Sequence, residues 1–275
     1  MVVPVIKWAG GKRQLLPLLK KRMPHFYRRY YEPFFGGGAL FFSIEPKDAS
    51  INDSNRQLIN MYKCIKFCLD EIAKKLSEYQ TMYNNLPTNA EQTKFYLTMR
   101  DRFNSFVLKN IFNIESASLF IFLNKAGYNG LYRVNKNGLF NVPSAHRTKL
   151  NIYDADNIHA ASKLLQNCCI NCGDFEDACR TVKPKDFVFF DSPYYDAFDT
   201  YQAGGFSEAS HVRLAQLFQR LSENGVYCLL TNNNCDFIKN LYKDYNIEVV
   251  SVKRMVNCDK NNRVGSEVII TNFKR

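Results

Sequence analysis

The sequence predicts an α/β fold: a doubly wound, largely parallel sheet with a C-terminal antiparallel hairpin, interrupted by a helical insertion over 56–165. Three observations carry this. Short apolar strands ending in Gly or Asp recur at both ends of the chain, whereas the middle keeps helical spacing. The run Phe187 to Phe190 is apolar without alternation, as in a parallel sheet covered on both faces. With 275 residues, 46% hydrophobic, 22 Phe and 16 Tyr, the chain holds ample material for one large core or two small ones.

The elements follow in order. Residues 27–35 read as a strand stopping at Gly36-Gly37-Gly38, and 49–53 as a short second strand ending at Asp53. From Asn55, Leu58, Met61, Tyr62, Ile65, Leu69, Ile72 and Leu76 keep a helical stripe, and Thr88 with Glu91 is a capping pattern ahead of Phe95, Met99, Phe103 and Phe106. Gly127, Gly130 and Lys136-Asn137-Gly138 break that rhythm and signal a hairpin near 127–142. Alternation returns with strands at 167–173, 186–191 and 225–232. A helix through Leu214, Leu217, Phe218 and Leu221, capped by Ser207, precedes the last of them. Residues 247–256 and 267–273, separated by a polar turn at 257–265, form the closing pair. Residues 1–55 with 166–275 thus read as one domain and 56–165 as a second.

No apolar run is long enough to span a bilayer, and no leader pattern opens the chain, so a cytoplasmic protein is expected. Nine Cys, an odd number spread along the chain, argue against a secreted disulfide framework. The net charge of +11 is localised: residues 1–31 carry eight basic side chains and residues 116–153 five, with no acid in either segment. One-signed stretches of this kind fit a polyanion binder.

The chemistry gathers at predicted strand ends. Phe35-Gly36-Gly37-Gly38 follows a strand, where an open α/β sheet takes a nucleotide-like ligand, although Phe41 stands where the dinucleotide fingerprint has its third Gly. Asp53 lies near the spacing at which an acid meets ribose hydroxyls; Asp174 could accept from an adenine amino group; both could equally be cap or turn residues. Asp191-Ser192-Pro193-Tyr194 places an acid, a rigid turn and an aromatic ring around one small pocket.

The ordered set Lys7-Trp8-Ala9-Gly10-Gly11-Lys12, Glu32 to Gly38, Asn52-Asp53, Gly127 to Arg133, Phe140 to Pro143 and Asp191 to Tyr194 resembles the Dam-type (D12 class) DNA adenine-N6 methyltransferases. The resemblance implies a Rossmann-like methyltransferase sheet, a target-recognition insertion, S-adenosyl-L-methionine as cofactor and double-stranded DNA as partner. It implies that Asp191 and the carbonyl of residue 192 accept the two hydrogens of a flipped-out adenine amino group, with Tyr194 stacking on the base. Trp8, Lys12, Phe35, Gly36, Asp53, Asp174, Phe175 and Asp191 match its cofactor residues. Lys7, Tyr128, Asn129, Leu131, Arg133 and Pro143 match the DNA-reading set of members that methylate adenine in GATC. Ser192 departs from the family's Asp-Pro-Pro-Tyr, and is expected to loosen a turn that proline would preset.

Alternatives stay open: cytosine N4, which the same acidic turn can serve, or a catalytically weakened DNA-binding relative. A phosphate loop at Gly10-Gly11-Lys12 fails because Arg13 replaces the required Ser or Thr. Cys169-x-x-Cys172, with Cys168 and Cys179, lacks a second ligand pair, so no metal is expected and these read as buried strand thiols. The chain is expected to act as a monomer.

Overall fold

The computed structural model describes residues 2–10, 12, 14–195, 206–253 and 264–274. Seven strands form one sheet: β1 (Tyr30–Glu32), β2 (Ala49–Asp53), β3 (Cys168–Cys172), β4 (Phe187–Phe190), β5 (Tyr227–Asn233), β6 (Asn246–Lys253) and β7 (Val264–Thr271), in the order β3-β2-β1-β4-β5-β7-β6. The first five in that order run parallel, and β7 lies antiparallel between β5 and β6. This is the expected α/β architecture with its closing antiparallel pair. The expected polar turn falls mostly outside the described residues, and Gly265 belongs to β7. β1 is shorter than the expected 27–35 at both ends, and Pro33, which has no amide hydrogen, stops the ladder at its C-terminal end. Order reverses between β1 and β4, so both C-terminal ends open on the same switch-point crevice.

Alternate residues of β4 enter different cores. Phe187 and Phe189 pack in one cluster, Val188 and Phe190 in the other, which is why the strand shows no alternation. The second cluster is closed by α8 (Phe175–Ala178), α9 (Glu208–Glu223) and α10 (Asp236–Leu241) through Phe175, Leu214, Phe218 and Ile238. The first is shared with α1 (Leu16–Arg22), α2 (Ala39–Ile44) and the helices between β2 and β3. Those are α3 (Arg56–Phe67), α4 (Leu69–Asn84), α5 (Asn89–Leu108), α6 (Ile114–Ala126) and α7 (Ala155–Leu165). That continuous core fixes the helical block against the sheet.

The stripe from Leu58 to Leu76 is two helices, broken at Cys68, where φ is −133° and ψ 46°. Thr88 and Ser207 cap α5 and α9 as expected, accepting from Glu91 N at 3.2 Å and Ser210 N at 3.3 Å. The hairpin is slight: Val134 bridges Phe140 across a turn in which Gly138 N donates to Asn135 O, and Gly127 bridges Ser144 at its base.

The two acid-free segments differ in space. From the first, Arg22 pairs with Glu248, Arg28 with Asp186 at the start of β4, Arg29 with Asp48 and Lys12 with Asp191. Four of its cations are therefore paired with acids distant in sequence, while Lys7, Lys20 and Lys21 stay exposed and Arg13 lies outside the described residues. In the second segment Arg133, Lys136, Arg147 and Lys149 are exposed and, among the described residues, have no acidic partner. The reading of four buried thiols is also corrected. Cys168 and Cys179 are buried, whereas Cys169 and Cys172 are exposed, because β3 is an edge strand.

Candidate active site

The glycine turn after β1 is built by two neighbours. Asp53 accepts from Gly36 N through Oδ2 and from Asn55 N through Oδ1, both at 2.9 Å, so its carboxylate locks the turn to the head of α3. Burial raises the Asp53 pKa, and these amide bonds oppose the rise. The Trp8 ring lies against Gly36: φ there is +49°, and a Cβ would come within 2.6 Å of Trp8 Cδ1, so only glycine fits. Phe35 is buried against Tyr62 at 4.8 Å between ring centroids, forming the floor.

Asp191 leaves β4 next to that turn. Lys12, only 4% exposed, places Nζ 2.6 Å from Asp191 Oδ1 and 4.6 Å from the Tyr194 ring centroid, and donates to Gly10 O at 2.9 Å. Thr231 Oγ1 donates to the same Oδ1 at 2.8 Å. The turn itself is held from β5. Asn232, 1% exposed, donates to Ser192 Oγ at 3.2 Å and Pro193 O at 3.4 Å, and accepts from Tyr195 N at 3.1 Å. Ser192 is buried, and its hydroxyl accepts from Asn232 on β5, a restraint that offsets the loosening expected where proline would fix φ.

Asp174 and Phe175 stand at the end of β3. Asp174 caps α8, accepting from Glu176 N at 2.9 Å, and also accepts from Arg213 at 3.0 Å. Phe175 is buried against Phe34, with the Arg213 guanidinium 5.0 Å from its ring. The cap reading of Asp174 is thus realised, and its position at the strand end puts it on the same sheet edge as Asp53 and Asp191.

The hairpin residues form an exposed rim. Lys7, Tyr128, Asn129, Arg133 and Pro143 are exposed, and Leu131 is half-buried. Tyr128 N donates to Pro143 O, and Arg133 donates to the Asn141 side chain at 2.8 Å. Buried Asn124 ties the rim to the N-terminal segment, bonding Lys7 N and O and Gly130 O at 2.8 to 2.9 Å.

Several contributors escape sequence reading. Thr231 and Asn232 close the strand expected at 225–232, and nothing in their residue types marks them as supports of the Asp191 turn. Glu32, quoted above only within the Glu32 to Gly38 run, is 2% exposed and accepts from Tyr30 Oη at 2.7 Å. Burial pushes its carboxyl well above the usual carboxylate range.

With this geometry in place, comparison with known proteins is direct. The family model for D12 class N6 adenine-specific DNA methyltransferases matches residues 8–256. The chain belongs to this family. It is an adenine-specific DNA methyltransferase, which decides against cytosine N4. The type II methyltransferase M.MjaIII of Methanocaldococcus jannaschii is 37% identical, the alignment covering 99% of each chain. The type II methyltransferase M1.LlaDCHI of Lactococcus lactis subsp. cremoris is 36% identical over 98% of this chain and 95% of its own. A DNA adenine methylase of Escherichia coli K12 is 28% identical over 98% and 94%. The methyltransferase has no helix among the described residues long and apolar enough to cross a membrane.

Proposed function

We propose that this methyltransferase transfers the methyl group of S-adenosyl-L-methionine to N6 of a flipped-out adenine within GATC of double-stranded DNA. The observation that carries the reading is the Lys12 ammonium, held 2.6 Å from Asp191 Oδ1 and 4.6 Å from the Tyr194 ring. A nitrogen donor is accommodated between a carboxylate and an aromatic face, which is the environment an exocyclic amine stacked on Tyr194 requires. Lys12 and Thr231 both bond Oδ1, so Oδ2 is the acceptor assigned to one N6 hydrogen and the residue-192 carbonyl to the other. Withdrawing both hydrogens from the ring plane favours a pyramidal nitrogen whose lone pair is free to attack.

The residues present fit the cofactor. Added Cβ atoms at Gly10, in the N-terminal turn before α1, and at Gly173, just past β3, would meet nothing within 4 Å, which leaves open space at both places. Each Asp53 oxygen that accepts one amide hydrogen keeps a second lone pair for a ribose hydroxyl. Trp8, Phe35, Gly36, Asp53, Asp174 and Phe175 would hold the group, which supplies an electrophilic methyl carbon. Lys12 and Asp191 adjoin it on the substrate side. The division of labour is then 1–55 with 166–275 for catalysis and 56–165 for target recognition. One chain supplies every residue of the site, so a monomer suffices.

The exposed hairpin cations support DNA contact, with Arg133 suited to a guanine edge and Tyr128 to the stack vacated by the flipped base. Labelled methyl transfer to duplexes that contain GATC, or differ from it at one base pair, tests the reading. N6-methyladenine formed in GATC alone is expected. Equal transfer to every duplex would refute the sequence assignment, and no transfer to any would refute the cofactor or the activity.

A further inference from the structure

Tyr132 lies between two hairpin residues assigned to DNA, Leu131 and Arg133, yet it belongs physically to the cofactor side. In this extended stretch successive side chains point to opposite faces. Arg133 is exposed, whereas the Tyr132 ring stacks on Trp8 with 5.3 Å between centroids at 21°, and packs on Phe120 and Phe140 at 5.4 and 5.8 Å. Its hydroxyl end reaches the polar group at the head of α3, where Asn55 and Asp53 lie. Trp8 is therefore held between a hairpin ring on one side and the glycine turn at Gly36 on another.

We propose that Tyr132 is a positioning residue coupling the hairpin to the methyl-donor pocket. Docking the hairpin on DNA fixes Tyr132, Tyr132 fixes Trp8, and Trp8 walls the donor pocket, so each ligand strengthens binding of the other. The inference rests on the functional reading above, in which Trp8 meets the cofactor and the hairpin meets DNA. By linkage the coupling must be the same in both directions. Direct contact between the ligands would also couple them, so what identifies Tyr132 is the loss of coupling when its ring is removed.

The experiment is calorimetric titration of S-adenosylhomocysteine into the full chain, free and saturated with a GATC duplex, and the reverse titration of duplex with and without S-adenosylhomocysteine. Wild type is expected to bind the cofactor product at least about fivefold more tightly with DNA present. Tyr132→Ala should bring that ratio close to one, and Tyr132→Phe, which keeps the ring, should retain it. Tyr132→Leu fills the same space without a flat face and carries the test if the alanine variant does not fold; it too should lose the coupling. A wild type that binds both ligands without coupling, coupling that survives in Tyr132→Leu, or coupling lost in Tyr132→Phe would each overturn the proposal while leaving the functional reading intact. Failure of wild type to bind either ligand alone would instead refute that reading.

Discussion

Replacing Asn232 with alanine should slow methyl transfer about ten- to a hundredfold while leaving duplex affinity within about twofold of wild type. The side chain is 1% exposed and makes four hydrogen bonds, to Ser192 Oγ, Pro193 O, Tyr195 N and Asn233 N at 3.2, 3.4, 3.1 and 2.9 Å. The 3.4 Å contact is weak, so three good bonds are lost, each worth about 1 kcal/mol net and somewhat more where a buried partner is left bare, for roughly 2 to 4 kcal/mol in all. Not all of this reaches the reaction, because Thr231 and Lys12 still hold Asp191. A share of about 1.4 to 2.8 kcal/mol gives the stated range. Ser192→Pro loses the Ser192 bond, about 1 kcal/mol of fold stability, and regains about 0.4 to 1 kcal/mol by restricting the unfolded chain, so its unfolding temperature should stay near that of wild type. Single-turnover transfer from labelled S-adenosylmethionine at saturating duplex measures the first quantity, and fluorescence anisotropy of labelled duplex the second. Wild-type rates in Asn232→Ala, or a duplex affinity that falls as far as the rate, would refute the claim that Asn232 acts through the catalytic turn.

Four further outcomes are expected. Arg133→Ala should lose roughly 1 to 3 kcal/mol of discrimination at one base pair while non-specific binding persists, measured by competition with single-substitution duplexes; an equal loss on every sequence would show that it positions and does not read. Lys149→Gln should weaken all duplexes alike and flatten the salt dependence of binding. Arg28→Gln, whose partner is Asp186, should lower the unfolding temperature without touching DNA affinity. Burial raises the Glu32 carboxyl well above its ordinary value of 4.5, so the folded state holds this proton to higher pH than the unfolded chain does. Stability should therefore fall as pH rises above the unfolded value toward the raised folded one, and Glu32→Gln should flatten that fall in thermal unfolding followed as pH is raised; an unchanged slope would remove Glu32 as its cause.

The bounds of β2 and the helix caps were legible in the sequence because the chemistry that makes them is local. β2 begins and ends where its composition says, and Thr88 and Ser207 cap the helices they precede. The helix α6 was not, because Ser116 to Asn124 are buried all round and leave no apolar stripe to recognise. The catalytic turn was legible as residue types, but its supports were not. Lys12 meets Asp191 across the β1/β4 switch point, and Asn232 reaches Ser192 from the neighbouring strand, which no spacing along the chain encodes. Charge misled for the same reason. The acid-free stretch 1–31 finds its acids at Asp48, Asp186, Asp191 and Glu248 once the chain folds. The stretch at 116–153 keeps Arg133, Lys136, Arg147 and Lys149 exposed for a polyanion, and Lys7, Lys20 and Lys21 of the first stretch are exposed as well.

The central claim, that Asp191 at the end of β4 directs methyl transfer to adenine N6, is tested most directly by Asp191→Ala. Incubate wild type and variant with S-adenosylmethionine and a GATC duplex, quantify N6-methyladenine by mass spectrometry of the digested DNA, and measure duplex affinity in parallel. Wild type should yield N6-methyladenine, and the variant none, with duplex affinity retained because phosphate contacts lie elsewhere. Methylation by Asp191→Ala at a rate near that of wild type would contradict the account.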